Sequence, residues 1–211
     1  MRPILYYAPG SASFLVHWLL IELDLEYELC LVDFRSAAQK SPAYLALNPN
    51  GVVPTLVFDG KPRHEAAALA LLLAERHPQS RLAPTIEDPR RADYLQWMFN
   101  LANMVQPLFR QWWYPAEPAG EANAEAVHAH CAPRIATQWQ RIDDHLGAHG
   151  PYLLGSDVSV ADFYLTMLMR WSRNMAKPAT EWPQLAALVR RMKARPSFST
   201  LYEREGLTEW A

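Results

Sequence analysis

The segment most informative about the fold is Asn48-Pro49-Asn50-Gly51-Val52-Val53-Pro54-Thr55-Leu56. Its asparagine, proline and glycine residues indicate a turn, and the apolar residues that follow indicate a strand at residues 55–58. Asp59-Gly60 predicts a second turn, which leads into a weaker strand at residues 61–64. Pro62 restricts that last strand to the edge of a sheet, because proline cannot donate a ladder hydrogen bond.

Strands and helices alternate on both sides of this hairpin. Apolar runs indicate strands at residues 4–7 and 27–32, and helical periodicity indicates helices at 14–23, 42–45 and 65–76. The order is therefore β-α-β-α-β-β-α. A strand, a crossover helix and a parallel strand, followed by an antiparallel hairpin, predict a mixed four-stranded sheet covered by helices.

The remainder of the chain has a helical pattern. Prolines among polar residues mark a linker at 78–88, which separates a first domain at 1–77 from a second domain at 89–211. Ser159 and Asp162 have the spacing of a capping box. Helical periodicity predicts helices at residues 90–113, 122–149, 160–174, 182–194 and 197–204. The expected fold class is α/β for the first domain and all-α for the second.

Composition excludes several classes of function. The 211 residues include 20 basic and 22 acidic side chains, a balance that argues against a nucleic-acid partner. The N-terminus lacks the apolar segment of a secretory signal, and no later stretch approaches the about 20 apolar residues of a membrane span. The two cysteines, Cys30 and Cys131, form no C-x-x-C pair that would indicate a disulfide framework or a zinc site. We expect a cytoplasmic protein without a metal.

Three local features occur in a characteristic order. Residues 6–13, Tyr-Tyr-Ala-Pro-Gly-Ser-Ala-Ser, join a strand to a helix, residues 48–56 open the hairpin, and Glu65-Ala66 begin the helix after it. Together they resemble the glutathione S-transferase superfamily, with a first loop similar to those of the bacterial beta and insect delta classes. The resemblance covers essentially the whole chain. It implies a thioredoxin-like N-terminal domain, an all-helical C-terminal domain, a cis Val53–Pro54 bond and a homodimer.

The resemblance implies that glutathione binds at Ser11, Val53, Pro54, Glu65 and Ala66. Glutathione is an anionic tripeptide with a thiol, so its peptide group needs a backbone partner. A cis bond at Pro54 would turn the Val53 amide and carbonyl outward, towards the cysteinyl backbone of the ligand. The free N–H groups at the start of the third helix would hold the γ-glutamyl carboxylate, and Glu65 would receive the ammonium group.

The thiol of glutathione must lose its proton to react. An ordinary thiol has a pKa of about 8.5, and lowering it by roughly 2 units requires about 3 kcal/mol. A helix N-terminus supplies at most about 2 kcal/mol, and a hydrogen bond to a charged group supplies about 1.5–3 kcal/mol. A hydroxyl beside the sulfur is therefore predicted. Ser11 is the catalytic candidate and Ser13 and Tyr7 are the reserves, with helix capping as the alternative role of both serines.

An aromatic cluster at residues 109–114 indicates a place for a second, apolar substrate. We predict an electrophile pocket at Gln106, Arg110 and Trp113, since the resemblance implies that this helix forms the wall of that pocket. The alternative role of these side chains is packing in the core or in a dimer contact.

The predicted function is to bind glutathione and add its thiolate to a hydrophobic small-molecule electrophile. Three residues depart from the family pattern: Ala12 replaces the beta-class cysteine, Ala66 replaces the usual serine, and Gln106 replaces a histidine. Disulfide exchange is therefore not expected. One alternative is a non-catalytic scaffold that retains the fold and binds proteins. The other is a glutathione-dependent isomerase or dehalogenase.

Overall fold

The structure is a computed structural model that describes residues 2–210. These residues form two compact units. The first unit contains residues 2–83 together with residues 195–209, and the second contains residues 84–194 with Trp210. The sequence predicts domains at 1–77 and 89–211 with a linker at 78–88. The structure differs chiefly at residues 195–209, which belong to the first unit.

The first unit contains the predicted mixed sheet. Its four strands lie in the order β2-β1-β3-β4, where β1 is Ile4–Tyr7, β2 is Glu28–Leu31, β3 is Thr55–Phe58 and β4 is Lys61–His64. β1 pairs with β2 in parallel, and the other two pairings are antiparallel. This arrangement confirms the predicted fold class, including the edge position of the strand that contains Pro62.

Ten α-helices occur within residues 2–210, and the long ones correspond to the predicted helices. They are α1 (Ser13–Glu22), α2 (Pro42–Leu45), α3 (Ala66–Arg76), α4 (Arg91–Asn100), α5 (Gln106–Trp113), α6 (Ala116–Ala119), α7 (Ala124–His149), α8 (Val160–Trp171), α9 (Pro183–Lys193) and α10 (Pro196–Glu205).

The last helix, α10, belongs to the first unit because it buries aromatic side chains against α1. The ring centroids of Trp18 and Phe198 lie 5.2 Å apart, and those of Phe14 and Tyr202 lie 6.1 Å apart. The Trp18 indole N–H also donates to the Ser197 hydroxyl at 2.8 Å. The sequence pattern identifies the helix but gives no sign of this long-range packing.

The predicted helix at residues 90–113 is interrupted by a π-helical turn at Leu101–Val105, between α4 and α5. The N–H of Gln106 donates to the carbonyl of Leu101, five residues earlier. Pro107 follows directly, and proline both lacks an N–H and collides with the carbonyl four residues before it. A local widening of the helix accommodates the proline without breaking the helix.

Helix α8 begins with the capping box predicted from the sequence. The Asp162 carboxylate accepts hydrogen bonds from the Ser159 N–H at 2.8 Å and from the Ser159 hydroxyl at 3.0 Å. It also accepts a 2.9 Å bond from the N–H of Leu153. The start of this helix is thus satisfied by the second unit's own residues.

Candidate functional site

The sheet register brings the three motifs of the first unit to one edge. Tyr6 is aligned with Thr55, and Thr55 is aligned with His64, so the end of β1, the start of β3 and the end of β4 form one row. The loop after β1, the residues before β3 and the start of α3 all leave the sheet at this row. Residues far apart in the sequence are thereby gathered at a single edge.

The loop after β1 holds its two serines in different environments. Ser13 is fully buried, and its Oγ is 3.1 Å from both the N–H and the carbonyl oxygen of Ala8. Ser11 is only partly buried, and its hydroxyl donates to the Ala8 carbonyl at 2.7 Å and lies 2.9 Å from the Ser13 Oγ. Of the two, only the Ser11 hydroxyl is positioned to reach a ligand.

Neither serine is the N-cap residue of α1, because that position belongs to Ala12, whose side chain makes no capping bond. The expectation that Ser11 or Ser13 caps the helix is met only by a long contact of 3.3 Å from the Ser13 N–H to the Ser11 Oγ. The positive end of α1 is therefore only weakly satisfied by the protein's own side chains.

A buried hydrogen-bond network supports this loop from beneath. The Glu205 carboxylate of α10 accepts the Gly10 N–H at 2.7 Å and lies 2.8 Å from the Nδ1 of His17. The Nε2 of His17 is 3.0 Å from the Tyr27 hydroxyl. The side chains of His17 and Glu205 are both 0% exposed. Sequence reasoning misses Glu205, because the spacing of 188 residues carries no local signal.

Tyr7, the second reserve candidate, faces the same interior. Its ring lies edge-on to the His17 ring at a centroid distance of 5.7 Å. Burial raises the pKa of the Tyr7 hydroxyl, and the negative charge of Glu205 adds to this effect. Tyr7 therefore stays protonated and is oriented towards the network beneath the loop.

The Val53–Pro54 peptide bond is cis, the isomer that the resemblance implies. Two buried side chains fix the turn before it. The Asn48 amide donates to the Val52 carbonyl at 2.8 Å and to the Thr55 Oγ1 at 3.1 Å. The Tyr44 hydroxyl donates to the same Val52 carbonyl at 2.7 Å. The asparagine that signals a turn in the sequence thus acts as an internal brace.

The backbone N–H and carbonyl of Val53 have no hydrogen-bond partner among the described residues. The strand pairing begins only at Thr55. The Val53 residue itself is 6% exposed. A backbone group without a partner in the protein is rare in folded structures, so Val53 is a candidate binding position.

The start of α3 is open in the same sense. Its first intrahelical bond runs from the Leu69 N–H to the Glu65 carbonyl. The N–H groups of residues 66–68 therefore have no partner among the described residues. Glu65 has φ 74° and ψ 104°, a conformation that a non-glycine residue rarely adopts, and its side chain does not cap the helix. Such backbone geometry is often found at ligand sites. Ala66 begins the helix and is buried.

The predicted electrophile residues lie together on α5 in the second unit, and each has an interaction within that unit. The Oε1 of Gln106 accepts a hydrogen bond from the Tyr164 hydroxyl. Arg110 forms an ion pair with the exposed Glu117. Trp113 is partly exposed, and the Arg173 guanidinium lies 5.7 Å from the centre of its ring. The spacing of four and three residues places all three on one face of α5.

Residues 2–210 contain no group of three or more histidine, cysteine, aspartate or glutamate side chains that could hold a metal ion. No described helix is long and apolar enough to cross a membrane.

Two family models match the chain. The model described as glutathione S-transferase, N-terminal domain, matches residues 5–81, and the model of the C-terminal domain matches residues 102–204. A glutathione S-transferase of Xanthomonas campestris pv. campestris is 31% identical over 207 residues, which cover 96% of this chain and 98% of that protein.

Solved structures of the same family superpose closely. A glutathione transferase homologue from Sulfitobacter with bound glutathione has a TM-score of 0.90 and 29% identity, over 98% of this chain and 99% of that one. A glutathione transferase from Methylococcus capsulatus has a TM-score of 0.87 and 30% identity, over 98% and 100%. The order of the motifs, the fold and these matches agree, and the chain belongs to the glutathione S-transferase family.

Proposed function

We propose that this protein binds glutathione at the sheet edge of its first unit, lowers the pKa of the bound thiol, and transfers the thiolate to a hydrophobic electrophile. The observation that carries the proposal is the buried, unpartnered backbone of Val53. An extended peptide can form hydrogen bonds with a free backbone N–H and carbonyl, as an added strand does at a sheet edge. Glutathione offers the matching groups in the backbone of its cysteinyl residue.

The ends of the ligand have partners on either side of Val53. The free N–H groups at the start of α3 suit the γ-glutamyl carboxylate, because they are unsatisfied donors at the positive end of a helix. The exposed Glu65 carboxylate suits the ammonium group beside it. Ala66 contributes its amide but no hydroxyl, so the carboxylate would be bound by backbone alone at that residue.

The sulfur is proposed to lie at the start of α1, beside Ser11. The Ser11 hydroxyl donates to the Ala8 carbonyl in the structure and would rotate to donate to the thiolate. One such bond contributes about 1.5–3 kcal/mol, and the helix end adds up to about 2 kcal/mol. Their sum covers the about 3 kcal/mol needed to lower the thiol pKa by roughly 2 units. The thiol proton leaves to solvent, the thiolate forms the new bond to carbon, and the leaving group departs with its electron pair.

Gln106, Arg110 and Trp113 of α5 are the residues proposed to contact the electrophile. Trp113 offers an apolar ring surface, whereas Arg110 is engaged by Glu117. We further propose a homodimer in the cytoplasm, as the family resemblance implies. The unpaired donors at Val53 and α3 favour a protein that binds glutathione over a scaffold that does not, whereas a glutathione-dependent isomerase or dehalogenase would use the same donors.

Calorimetric titration with glutathione and a conjugation assay with a chlorodinitrobenzene substrate test the proposal. We expect saturable binding, and ultraviolet titration of the bound thiolate should give a pKa roughly 2 units below that of the free thiol. Glutathione binding without any shift in its thiol pKa would support a scaffold or carrier instead. Failure to bind at millimolar glutathione would contradict the site itself.

A further inference from the structure

Strand β2 forms an open edge of the sheet on the side away from the hairpin. It is the terminal strand in the order β2-β1-β3-β4, so no described strand pairs with its outer side. Its inner bonds are made by alternate residues: Glu28 donates to the Pro3 carbonyl at 2.9 Å, and Val32 donates to the Tyr7 carbonyl at 2.8 Å. The backbone groups of Leu29 and Leu31 therefore point outward.

The two outward-pointing residues are also exposed apolar side chains. Leu29 is 37% exposed and Leu31 is 58% exposed, and Phe34 just beyond the strand is 39% exposed. Natural edge strands are commonly protected by lysine, proline or a bulge, and β2, with the sequence Glu-Leu-Cys-Leu, has none of these. Its length of four residues limits a partner strand to a similar length.

A cavity opens on the other face of the same strand. It has a volume of about 370 Å³. Its lining includes residues at the edge, on the next strand, and in and around α2: Cys30, Leu31, Val32, Tyr6, Ala38, Ser41, Ala43, Tyr44 and Leu47. The rings of Tyr6 and Tyr44 form its aromatic wall, with centroids 5.8 Å apart. Its volume is sufficient for one large apolar side chain.

Acidic side chains surround this edge. Asp24, Glu28 and Asp33 are exposed and have no ion-pair partner among the described residues, while Glu26 is paired with Arg2 at 3.0 Å. Arg35, beyond the strand, is the nearest unpaired cation along the chain. A second copy of the chain would bring the same acidic set against itself, which is unfavourable.

We propose that the β2 edge binds an extended segment of another protein in which basic residues alternate with apolar ones. The segment would add a fifth strand by bonding to the outward groups of Leu29 and Leu31. One apolar side chain would enter the cavity beside Cys30. The aliphatic stems of the flanking lysine or arginine residues would cover Leu29 and Leu31, and the acidic side chains around the edge, among them Asp33, would attract their charges.

A synthetic peptide tests this proposal. The labelled hexapeptide acetyl-Arg-Thr-Lys-Phe-Lys-Thr-amide is added to the full chain, and its binding is measured by fluorescence anisotropy. Two versions carry N-methyl groups on alternate amides, one on the odd positions and one on the even positions. Only one set of amides can face β2, so we expect one version to bind at least tenfold more weakly and the other to bind like the parent. Equal binding of both versions, or no binding at millimolar peptide, would overturn the proposal.

Two variants of the protein locate the peptide. Leu31→Pro removes an outward N–H and leaves the bonds to β1 in place, so it should weaken binding at least tenfold. Glu28→Lys should weaken binding and remove most of its salt dependence. Glutathione titration of each variant checks that the first unit remains folded. If sedimentation shows that the protein self-associates and that Leu31→Pro abolishes this, the occupant is a second copy and the proposal is wrong.

Discussion

Helices α1 and α8 both begin beside a serine, yet their N-termini differ in what satisfies them. At α8 the Ser159 and Asp162 side chains close the helix end, and Asp162 also holds the N–H of Leu153. At α1 the N-cap is Ala12, and the Ser11 hydroxyl is directed to the Ala8 carbonyl. One helix end is closed by side chains, and the other has no side-chain cap at its N-cap residue.

The closed N-terminus of α8 and the open N-terminus of α1 need different kinds of support. The capping box is local, since its partners are three residues apart. The open end of α1 cannot support itself in that way, so the loop before it is anchored from a distance by Glu205, through the Gly10 N–H. The His17 and Glu205 side chains of this network are buried, whereas Ser11 is partly exposed.

The largest loss of stability is expected on replacing Glu205, which anchors the loop before α1. Glu205→Ala removes the acceptor of the Gly10 N–H and leaves His17 buried without its partner. Each donor left without its acceptor costs about 1–3 kcal/mol, so the loss of these two bonds should lower the free energy of unfolding in urea by roughly 2–6 kcal/mol. Glutathione affinity should fall as well. Glu203→Ala, an exposed neighbour on α10, is the matched control. Equal stability of the two variants would show that the anchor is unimportant.

The next largest effect is expected at the start of α8, where Asp162 should make the stability of the protein depend on pH. Burial raises the pKa of the Asp162 carboxyl from 3.8 to about 6, although the N–H groups of Leu153 and Ser159 partly oppose the shift. The folded state therefore favours the protonated acid. Its stabilising contribution is fully present below about pH 4 and is lost as the pH rises through about 6, a change of about 3 kcal/mol.

Urea unfolding of the wild type and of Asp162→Asn between pH 4 and pH 7 measures this contribution. The asparagine does not titrate, so the difference between the two proteins isolates the carboxyl from all other acids. We expect the stability of the wild type relative to the variant to decline over this range. A difference that stays constant with pH would mean that Asp162 remains ionised at the helix start.

The sequence predicts the closed end well and the open end only in part. The spacing of Ser159 and Asp162 is sufficient to identify the capping box, because both partners lie in one helical turn. The hairpin and the edge strand follow from equally local signals in turn residues and Pro62. Glu205 contacts Gly10 across 195 residues, and no local pattern encodes such a contact.

The candidate site shows the same division between local and distant information. The sequence motifs make Val53 and Glu65 candidates, since turn and helix signals lie beside them. They do not reveal that the Val53 backbone is left without a partner, because that depends on where strand pairing begins. The bond from Tyr164 to Gln106 spans 58 residues and was equally hidden.

Removing the hydroxyl at the open end should reduce catalysis rather than stability. We expect Ser11→Ala to lower kcat/KM for conjugation by about 10- to 100-fold, equivalent to about 1.5–3 kcal/mol for one hydrogen bond to a charged sulfur. The pKa of bound glutathione should rise in parallel. Ser36→Ala, at an exposed serine outside the site, is the control. A normal rate in Ser11→Ala would exclude Ser11 from the mechanism.

The reciprocal change at the closed end should reduce stability and leave catalysis intact. Ser159→Ala removes the capping hydroxyl, and loss of such a cap costs about 1 kcal/mol. The thermal unfolding midpoint should fall by a few degrees, while kcat/KM for conjugation stays at the wild-type value. If activity instead declined as it does in Ser11→Ala, the two helix ends would not have the separate roles assigned to them.

The smallest effect is expected at the other open end, the start of α3, where Ala66→Ser restores the hydroxyl usual in the family. Ala66 is 5% exposed, so the new hydroxyl would be buried without a partner in the free protein, at a cost of about 1 kcal/mol in stability. Bound glutathione would supply that partner through its carboxylate. The variant should therefore bind glutathione a few-fold more tightly while unfolding slightly more easily in its absence. Ala68→Ser places the same hydroxyl at an exposed position and should change neither quantity. Opposite changes in affinity and stability at residue 66 alone would show that this helix end is completed by the ligand, and unchanged affinity would show that the carboxylate binds elsewhere.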